Sequence, residues 1–238
     1  MTAFLGNILG SLLRFVYDMV SATGIETKYV SYYALAIIIT TIIFKLALLP
    51  LSISQVKSSK KMSELQPLMK EIQTKYRNDP QTQQKKLQEL YREHNYKPSG
   101  SCLMLLVQMP ILFAFFAVFR DPAKYAFTEP GFYEAMNKSL FWIANLDLPD
   151  TNIWGLPLLA GLTTYLHSWV MMQSQQTGGN EQAQSMQKSM LYFMPIMIFF
   201  TARSFPGGLA LYWVVSNLFS IIQQLISNLS MGKVKEVK

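Results

Sequence analysis

Residues 33–53 read YALAIIITTIIFKLALLPLSI, with one charge and no acidic side chain. A helix needs about 20 mostly apolar residues to cross the hydrocarbon core of a bilayer, and this stretch has that length. It lacks the period-two alternation of a half-buried strand. Four more stretches share its character: Cys102 to Phe119, Ile153 to Met172, Met190 to Phe205 and Leu209 to Ile226. Only Pro206-Gly207-Gly208 separates the last two, so they are expected to form a tight helical hairpin. Composition agrees: half of the 238 residues are apolar and 15% are charged, against about 25% charged in a soluble domain. One cysteine, Cys102, excludes an internal disulfide framework, and two distant histidines, His94 and His167, argue against a histidine metal site. The expected fold is all-α, a polytopic membrane protein of five transmembrane helices.

Lysine and arginine placement predicts the orientation. The segment 54–101 carries Lys57, Lys60, Lys61, Lys70, Lys75, Arg77, Lys85, Lys86, Arg92 and Lys97. With Lys188, Lys233, Lys235 and Lys238 that side holds 14 basic groups, and the other holds six. Acidic groups divide seven and seven, giving net charges of +7 and −1. The rich side is expected to be cytoplasmic, with the N-terminus outside and the C-terminus inside. The basic excess therefore reads as membrane orientation and not as nucleic-acid binding, because no basic block with interleaved aromatics occurs.

The parts between the spans are legible too. Phe4, Ile8, Leu12, Phe15 and Met19 make one apolar face opposite Asn7, Ser11, Arg14 and Asp18, which predicts an amphipathic helix on the outer interface within 1–32. No basic n-region or small-residue cleavage site marks a signal peptide there. In 54–101, Met62, Leu65, Met69, Ile72 and Tyr76 repeat at the coiled-coil spacing. Asp79-Pro80 reads as an N-cap and first helical residue, leading to a second arm with Leu87, Leu90 and His94. Pro67 is expected to kink the first arm of this cytoplasmic helical hairpin or restart it. An outer loop (120–152), a Gln/Ser/Gly-rich cytoplasmic loop (173–189) and a short cytoplasmic tail (227–238) complete the layout. No internal repeat supports a transporter of duplicated halves.

Polar groups inside the apolar stretches are the candidate functional residues. Lys45 lies about 18 Å of helix from Tyr33 and about 12 Å from Ile53. An uncompensated lysine at mid-bilayer costs roughly 2.5–3.5 kcal/mol on insertion scales. Snorkelling would lessen the cost; facing a water-filled cavity would remove the need. Thr41 lies one turn away on the same face. Gln108 occupies the second span, and Thr163, Thr164, His167 and Ser168 the third. Trp213, Asn217, Ser220 and Gln224 form one stripe on the fifth. Thr163, Thr164 and Ser168 are expected to bond their own backbone or a neighbouring helix, and His167 to serve packing. Gln108 and Asn217 fit helix glue and cavity lining equally. Prolines 50, 110, 157 and 195 predict kinks in four spans. No nucleotide fingerprint, metalloprotease motif or nucleophilic set is present, so no enzyme activity and no cofactor are expected.

Four ordered motifs carry a resemblance: IIITTIIFKLALLPLSISQ (37–55), MSELQPLMKEIQTKY (62–76), GSCLMLLVQMPILFAFF (100–116) and GGLALYWVVSNLFSIIQQ (207–224). Together they resemble the YidC/Oxa/Alb family of membrane protein insertases, in the short five-span form of Gram-positive bacteria. The resemblance implies a chaperone that inserts and folds small membrane proteins, alone or beside the Sec translocon. It implies a hydrophilic groove open to cytoplasm and lipid and closed to the outside. Nascent membrane proteins, the lipid bilayer, the Sec translocon and the ribosome are the implied partners, in the cell membrane. The groove charge falls on Lys45, where the family usually has arginine. Thr41, Gln108, Tyr212 and Trp213 match groove or substrate-contacting positions. Lys97-Pro98 replaces the usual asparagine-proline. The competing reading from the residues alone is a channel or transporter with Lys45 on an anion path; a purely structural assembly factor would leave Lys45 freely replaceable.

Overall fold

The computed structural model describes residues 2–24, 26–27, 29–96, 99–174 and 181–236, with side chains over 4–24, 26–27, 29–96, 109–173 and 188–228. The described chain is all-α: α1 (Thr2–Ser21), α2 (Tyr32–Ala47), α3 (Leu49–Lys75), α4 (Pro80–Glu93), α5 (Ser99–Arg120), α6 (Pro122–Tyr125), α7 (Phe132–Ala135), α8 (Leu156–Ser174), α9 (Glu181–Ala202) and α10 (Gly207–Glu236). Among the described residues, β-structure is limited to isolated bridges joining Thr27, Val30, Leu140 and Ile143.

The stretch 33–53 is not one straight helix. α2 ends at Ala47, and α3 leaves it at 59° after the single residue Leu48. Pro50 explains the position of the break, since proline has no N–H to continue the α2 ladder but fits the first turn of a new helix. Pro157 likewise sits in the first turn of α8 and kinks nothing. Pro110 and Pro195 lie inside α5 and α9. Among the described residues, Gly207–Asn228 alone is long and apolar enough to cross a membrane by itself, and α2 with α3 passes as a bent pair. Met109–Arg120 and Lys188–Ala202 are shorter apolar stretches.

α10 packs between α2 and α8, α9 lies against α8, and α1 covers α2, α5 and α6. The expected α9–α10 hairpin is corrected by this arrangement. The turn is short, but the two helices splay and α9 takes α8 as its main neighbour. Gly161 permits that choice, because a Cβ there would meet the Phe199 Cβ and the Pro195 carbonyl at 3.2 Å. Fully buried Ala34, Ala36, Ala114, Ala160, Ala202 and Ala210 bring backbones close elsewhere in the bundle, as expected where van der Waals contact holds helices together.

α1 has two apolar faces. Phe4, Ile8, Phe15 and Met19 point outward, while Leu9, Leu13 and Val16 join the bundle core. Arg14 bonds Asp18 at 2.9 Å and Glu129 at 3.3 Å, and lies over the Phe132 ring.

The hairpin arms α3 and α4 enclose a separate core of Leu65, Met69, Leu90 and Tyr96, flanked by Met62, Ile72, Leu87 and Tyr91. Asp79 caps α4 by accepting from the Thr82 N–H at 3.1 Å, and that bonding holds its carboxyl below the usual carboxylate range. Two expectations change. α3 runs unbroken through Pro67, whose ring lies on the exposed face. His94 is exposed as the C-cap of α4, and Tyr91 and Tyr96 fill its expected place in the seam.

Among the described residues, the main buried cluster lies towards one end of the bundle. Every buried residue of α2 lies between Tyr33 and Thr41, none beyond. Opposite them stand Phe115, Phe119, Leu209 and Tyr212, closed over by Phe127, Tyr133, Leu140, Ile143 and Leu146 from the loop after α5. That loop is anchored to α10, whose Gly207 and Gly208 N–H groups donate to the Leu148 and Leu146 carbonyls at 3.0 and 2.9 Å. Towards the hairpin, among the described side chains, Val56, Val170, Leu191 and Gln224 are also buried.

Candidate functional site

Lys45 projects from the last turn of α2, beyond the last fully buried residue of that helix, Thr41. Its Nζ donates to Ser220 Oγ of α10 at 3.1 Å, and Ser220 Oγ donates onward to the Ser216 carbonyl at 2.9 Å. An ammonium has three donors. Among the described residues no carboxylate pairs with Lys45, so its charge stays uncompensated.

One turn further along α10, Gln223 Nε2 donates to Ser52 Oγ at 2.6 Å. Ser52 belongs to α3, so α10 holds both sides of the bend at Leu48, Lys45 above it and Ser52 below. The sequence reading missed Ser52 and Gln223. The signal was present: Gln223 adjoins Gln224, and two amides in one apolar stretch require two partners.

The opposite wall comes from α8. Asn217 Nδ2 donates to Thr164 Oγ1 at 2.9 Å and to Thr163 Oγ1 at 3.3 Å. Those hydroxyls donate to the Ala160 and Leu159 carbonyls, both at 2.7 Å. Both threonines thus satisfy their own backbone, as expected, and also receive Asn217, which acts as glue between α10 and α8. His167 lies one turn beyond on α8, within coulombic range of Lys45.

The other expected site residues take different places. Thr41 is buried and donates to the Ile37 carbonyl at 2.7 Å, within its own helix. Tyr212 is buried, its ring stacked on Phe115 at 4.2 Å, so it belongs to the bundle core. Trp213 is half-buried with its ring 6.4 Å from that of Phe205. Gln224 is buried and donates to Asn228 Oδ1 at 3.1 Å. The side chain of Gln108 lies outside the described residues. The arrangement is a polar seam where α10 meets α2, α3 and α8, carrying the charge of Lys45. Among the described residues no group of three His, Cys, Asp or Glu side chains could hold a metal ion.

Comparison with known proteins extends this. Residues 25–234 match the family described as 60Kd inner membrane protein. A membrane protein insertase YidC of Fusobacterium nucleatum is 39% identical over 222 residues, which are 93% of this chain and 96% of that protein. The chain belongs to the YidC/Oxa/Alb family. The YidC of Oceanobacillus iheyensis is 41% identical over 215 residues, 88% of this chain and 79% of the relative. The longer YidC of Chlorobaculum tepidum is 36% identical, with the aligned region covering 84% of this chain and 33% of that protein. YidC-family membership makes the chain a membrane-associated protein, the setting in which a lysine with no carboxylate partner among the described residues is costly unless it serves a purpose.

Proposed function

We propose that this chain is a membrane protein insertase and chaperone, without enzymatic chemistry, and that the polar seam of α2, α8 and α10 lines a cleft that receives hydrophilic parts of small membrane proteins. The observation that carries the reading is Lys45: a cation with no carboxylate partner among the described residues, bonded to Ser220 on the polar stripe of α10. At a separation of 4 Å a carboxylate and an ammonium attract by about 4 kcal/mol at an effective dielectric of 20, against about 1 kcal/mol in water. The cleft thus draws an acidic segment partway into the membrane, and burial of the adjoining apolar span in lipid supplies the driving force. Nucleotide has no role in these steps. A channel or transporter would need a path through the capped end, which Tyr33, Phe115, Phe119, Leu146 and Tyr212 fill.

The proposed arrangement is the short Gram-positive-type form with five spans, N-terminus outside and C-terminus cytoplasmic, in the cell membrane. Its supports are the charge partition and the near-complete coverage of the Fusobacterium relative. Residues 33–53 act as one bent span, with α1 on the outer interface and the α3–α4 hairpin in the cytoplasm. The hairpin's excess of lysine and arginine suits contact with the acidic surface of a ribosome, and cooperation with the Sec translocon follows from the family resemblance.

In bacterial cells depleted of their native insertase, the chain should restore insertion of a small membrane protein. In that same working protein, cysteines replacing Ser58 and Asn137 should label from opposite faces of the membrane. Failure to restore insertion at normal abundance contradicts the function, and labelling from one face contradicts the arrangement.

A further inference from the structure

The loop that caps the bundle carries a surface with no part in the cleft. Leu140 and Ile143 exchange backbone hydrogen bonds at 2.8 Å, and both side chains are buried in the core. The two residues between them are turned outward: Phe141 is 62% exposed and Trp142 51% exposed, their rings stacked at 6.1 Å. Phe141 holds φ +48, a left-handed conformation that bulky side chains rarely adopt. Its N–H donates to the Tyr29 carbonyl, which fixes it there. Tyr29 is itself 61% exposed, and Trp154 is 79% exposed.

The charges of this segment point the other way. Asp147 pairs with Lys138 at 2.8 Å. Buried Asp150 accepts from Trp142 Nε1 at 3.1 Å, from the Asn152 N–H at 3.0 Å and from the Leu156 N–H at 2.8 Å. Gly155 leaves room for this clasp, since a Cβ there would meet Trp142 Nε1 at 2.7 Å. From Ser139 to Gly155 the charged groups are turned in and the rings are turned out.

We propose that Tyr29, Phe141, Trp142 and Trp154 form an anchor lying in the headgroup–acyl boundary of the outer leaflet. Their level supports a lipid partner. Trp154 precedes α8 by two residues, Tyr29 precedes α2 by three, and the cap is hydrogen-bonded to the start of α10. The exposed side of α8 continues in apolar residues Leu162, Leu166 and Trp169, and the outward face of α1 is apolar too. Tyrosine and tryptophan combine an apolar ring with a polar tip, which suits them to this boundary. A strained, stacked aromatic turn thereby fixes how deeply the capped end of the bundle sits.

The inference rests on the membrane arrangement proposed above, and the experiment separates the two. The full chain is reconstituted in liposomes as two single-tryptophan variants, one keeping Trp142 and one keeping Trp169, with the other tryptophans changed to phenylalanine. Lipids brominated near the headgroup should quench Trp142 more than lipids brominated near the chain ends, and acrylamide in the water should quench it weakly. Bromolipids should quench Trp169 as well. Trp142 open to acrylamide and insensitive to bromolipid, beside a lipid-quenched Trp169, overturns the anchor and leaves the arrangement standing. Trp142 reached by neither quencher means that protein covers it, a second copy included, and also overturns the anchor. Absence of lipid quenching at both positions overturns the arrangement itself. A nitroxide on Phe141→Cys, in a Cys102→Ser background with all tryptophans kept, reads the same depth by its relative access to oxygen and an aqueous nickel chelate. Preferential oxygen access is expected, and preferential nickel access contradicts the anchor.

Discussion

Lys45→Met should lower insertion of substrates with acidic translocated tails about thirtyfold, while Lys45→Arg preserves it. A hydrogen bond to a charged group contributes about 2 kcal/mol net, which corresponds to roughly a thirtyfold change in a binding equilibrium. Methionine keeps length and helix propensity and removes the charge. Arginine keeps the charge and changes its geometry. Ser220 loses its partner in Lys45→Met, but its hydroxyl still donates to the Ser216 carbonyl, so the fold should persist. Substrates whose tails carry no acid should be little affected. The measurement is insertion of one substrate, with acidic or neutralised tail, in depleted cells carrying each variant at equal abundance. Equal activity of Lys45→Met and wild type on the acidic substrate rejects the electrostatic role. Equal loss on both substrates would assign Lys45 to hydration or shape of the cleft.

The largest effect on stability is expected in the cap. Lys138 is 9% exposed, with its Nζ 2.8 Å from Asp147 and 3.7 Å from the Tyr133 ring centroid. Tyr133 donates its hydroxyl to the same carboxylate, with the Tyr33 hydroxyl 3.4 Å away. Burial pushes the Tyr133 phenol far above the ordinary tyrosine range, so it stays a donor. Removing one partner of a buried ion pair typically costs about 3–5 kcal/mol, because a charge is left behind. Asp147 keeps some solvent access and its bond from Tyr133, so Lys138→Met should fall near the lower limit, about 3 kcal/mol. In thermal unfolding this corresponds to a fall of about 10 °C in Tm. Lys138→Met combined with Asp147→Leu should recover part of the loss, since no orphan charge remains. An unchanged Tm for Lys138→Met contradicts the role given to the pair.

Legibility followed the range of the interactions. Asp79-Pro80 and the seam from Met62 to Ile72 are set by neighbours within two turns, and the structure has both where the pattern puts them. Tyr76, the expected last member of the seam, is instead the C-cap of α3 and outside that core. The α10 stripe was visible as periodicity, but its partition was not. Asn217 turns to α8, Ser220 to α2, and Tyr212 into the closed core. Periodicity defines a face and says nothing of which neighbour occupies it. The α9–α10 hairpin failed for a related reason: a short turn fixes connectivity, whereas close packing at Gly161 drew α9 to α8. On α1 the pattern gives one stripe of Phe4, Ile8, Leu12, Phe15 and Met19; the structure exposes four of these, packs Leu12 against the core, and adds a second apolar face at Leu9, Leu13 and Val16. A helix with two apolar faces blurs the pattern used to orient it. Lys138–Asp147 and Ser52–Gln223 join residues far apart in sequence or in periodic phase, so only the folded chain brings them together.

We propose that this chain inserts proteins, alone or beside the Sec translocon, through a cleft along the polar seam of α2, α8 and α10. This central claim is tested most directly by reconstituting the purified chain alone in liposomes. A small membrane protein with an acidic tail is added without nucleotide, while leakage of a trapped anion is followed in the same vesicles. The expected result is protection of the substrate's tail from external protease with no increase in anion leakage. Anion flux through the reconstituted chain without any protected substrate would contradict it.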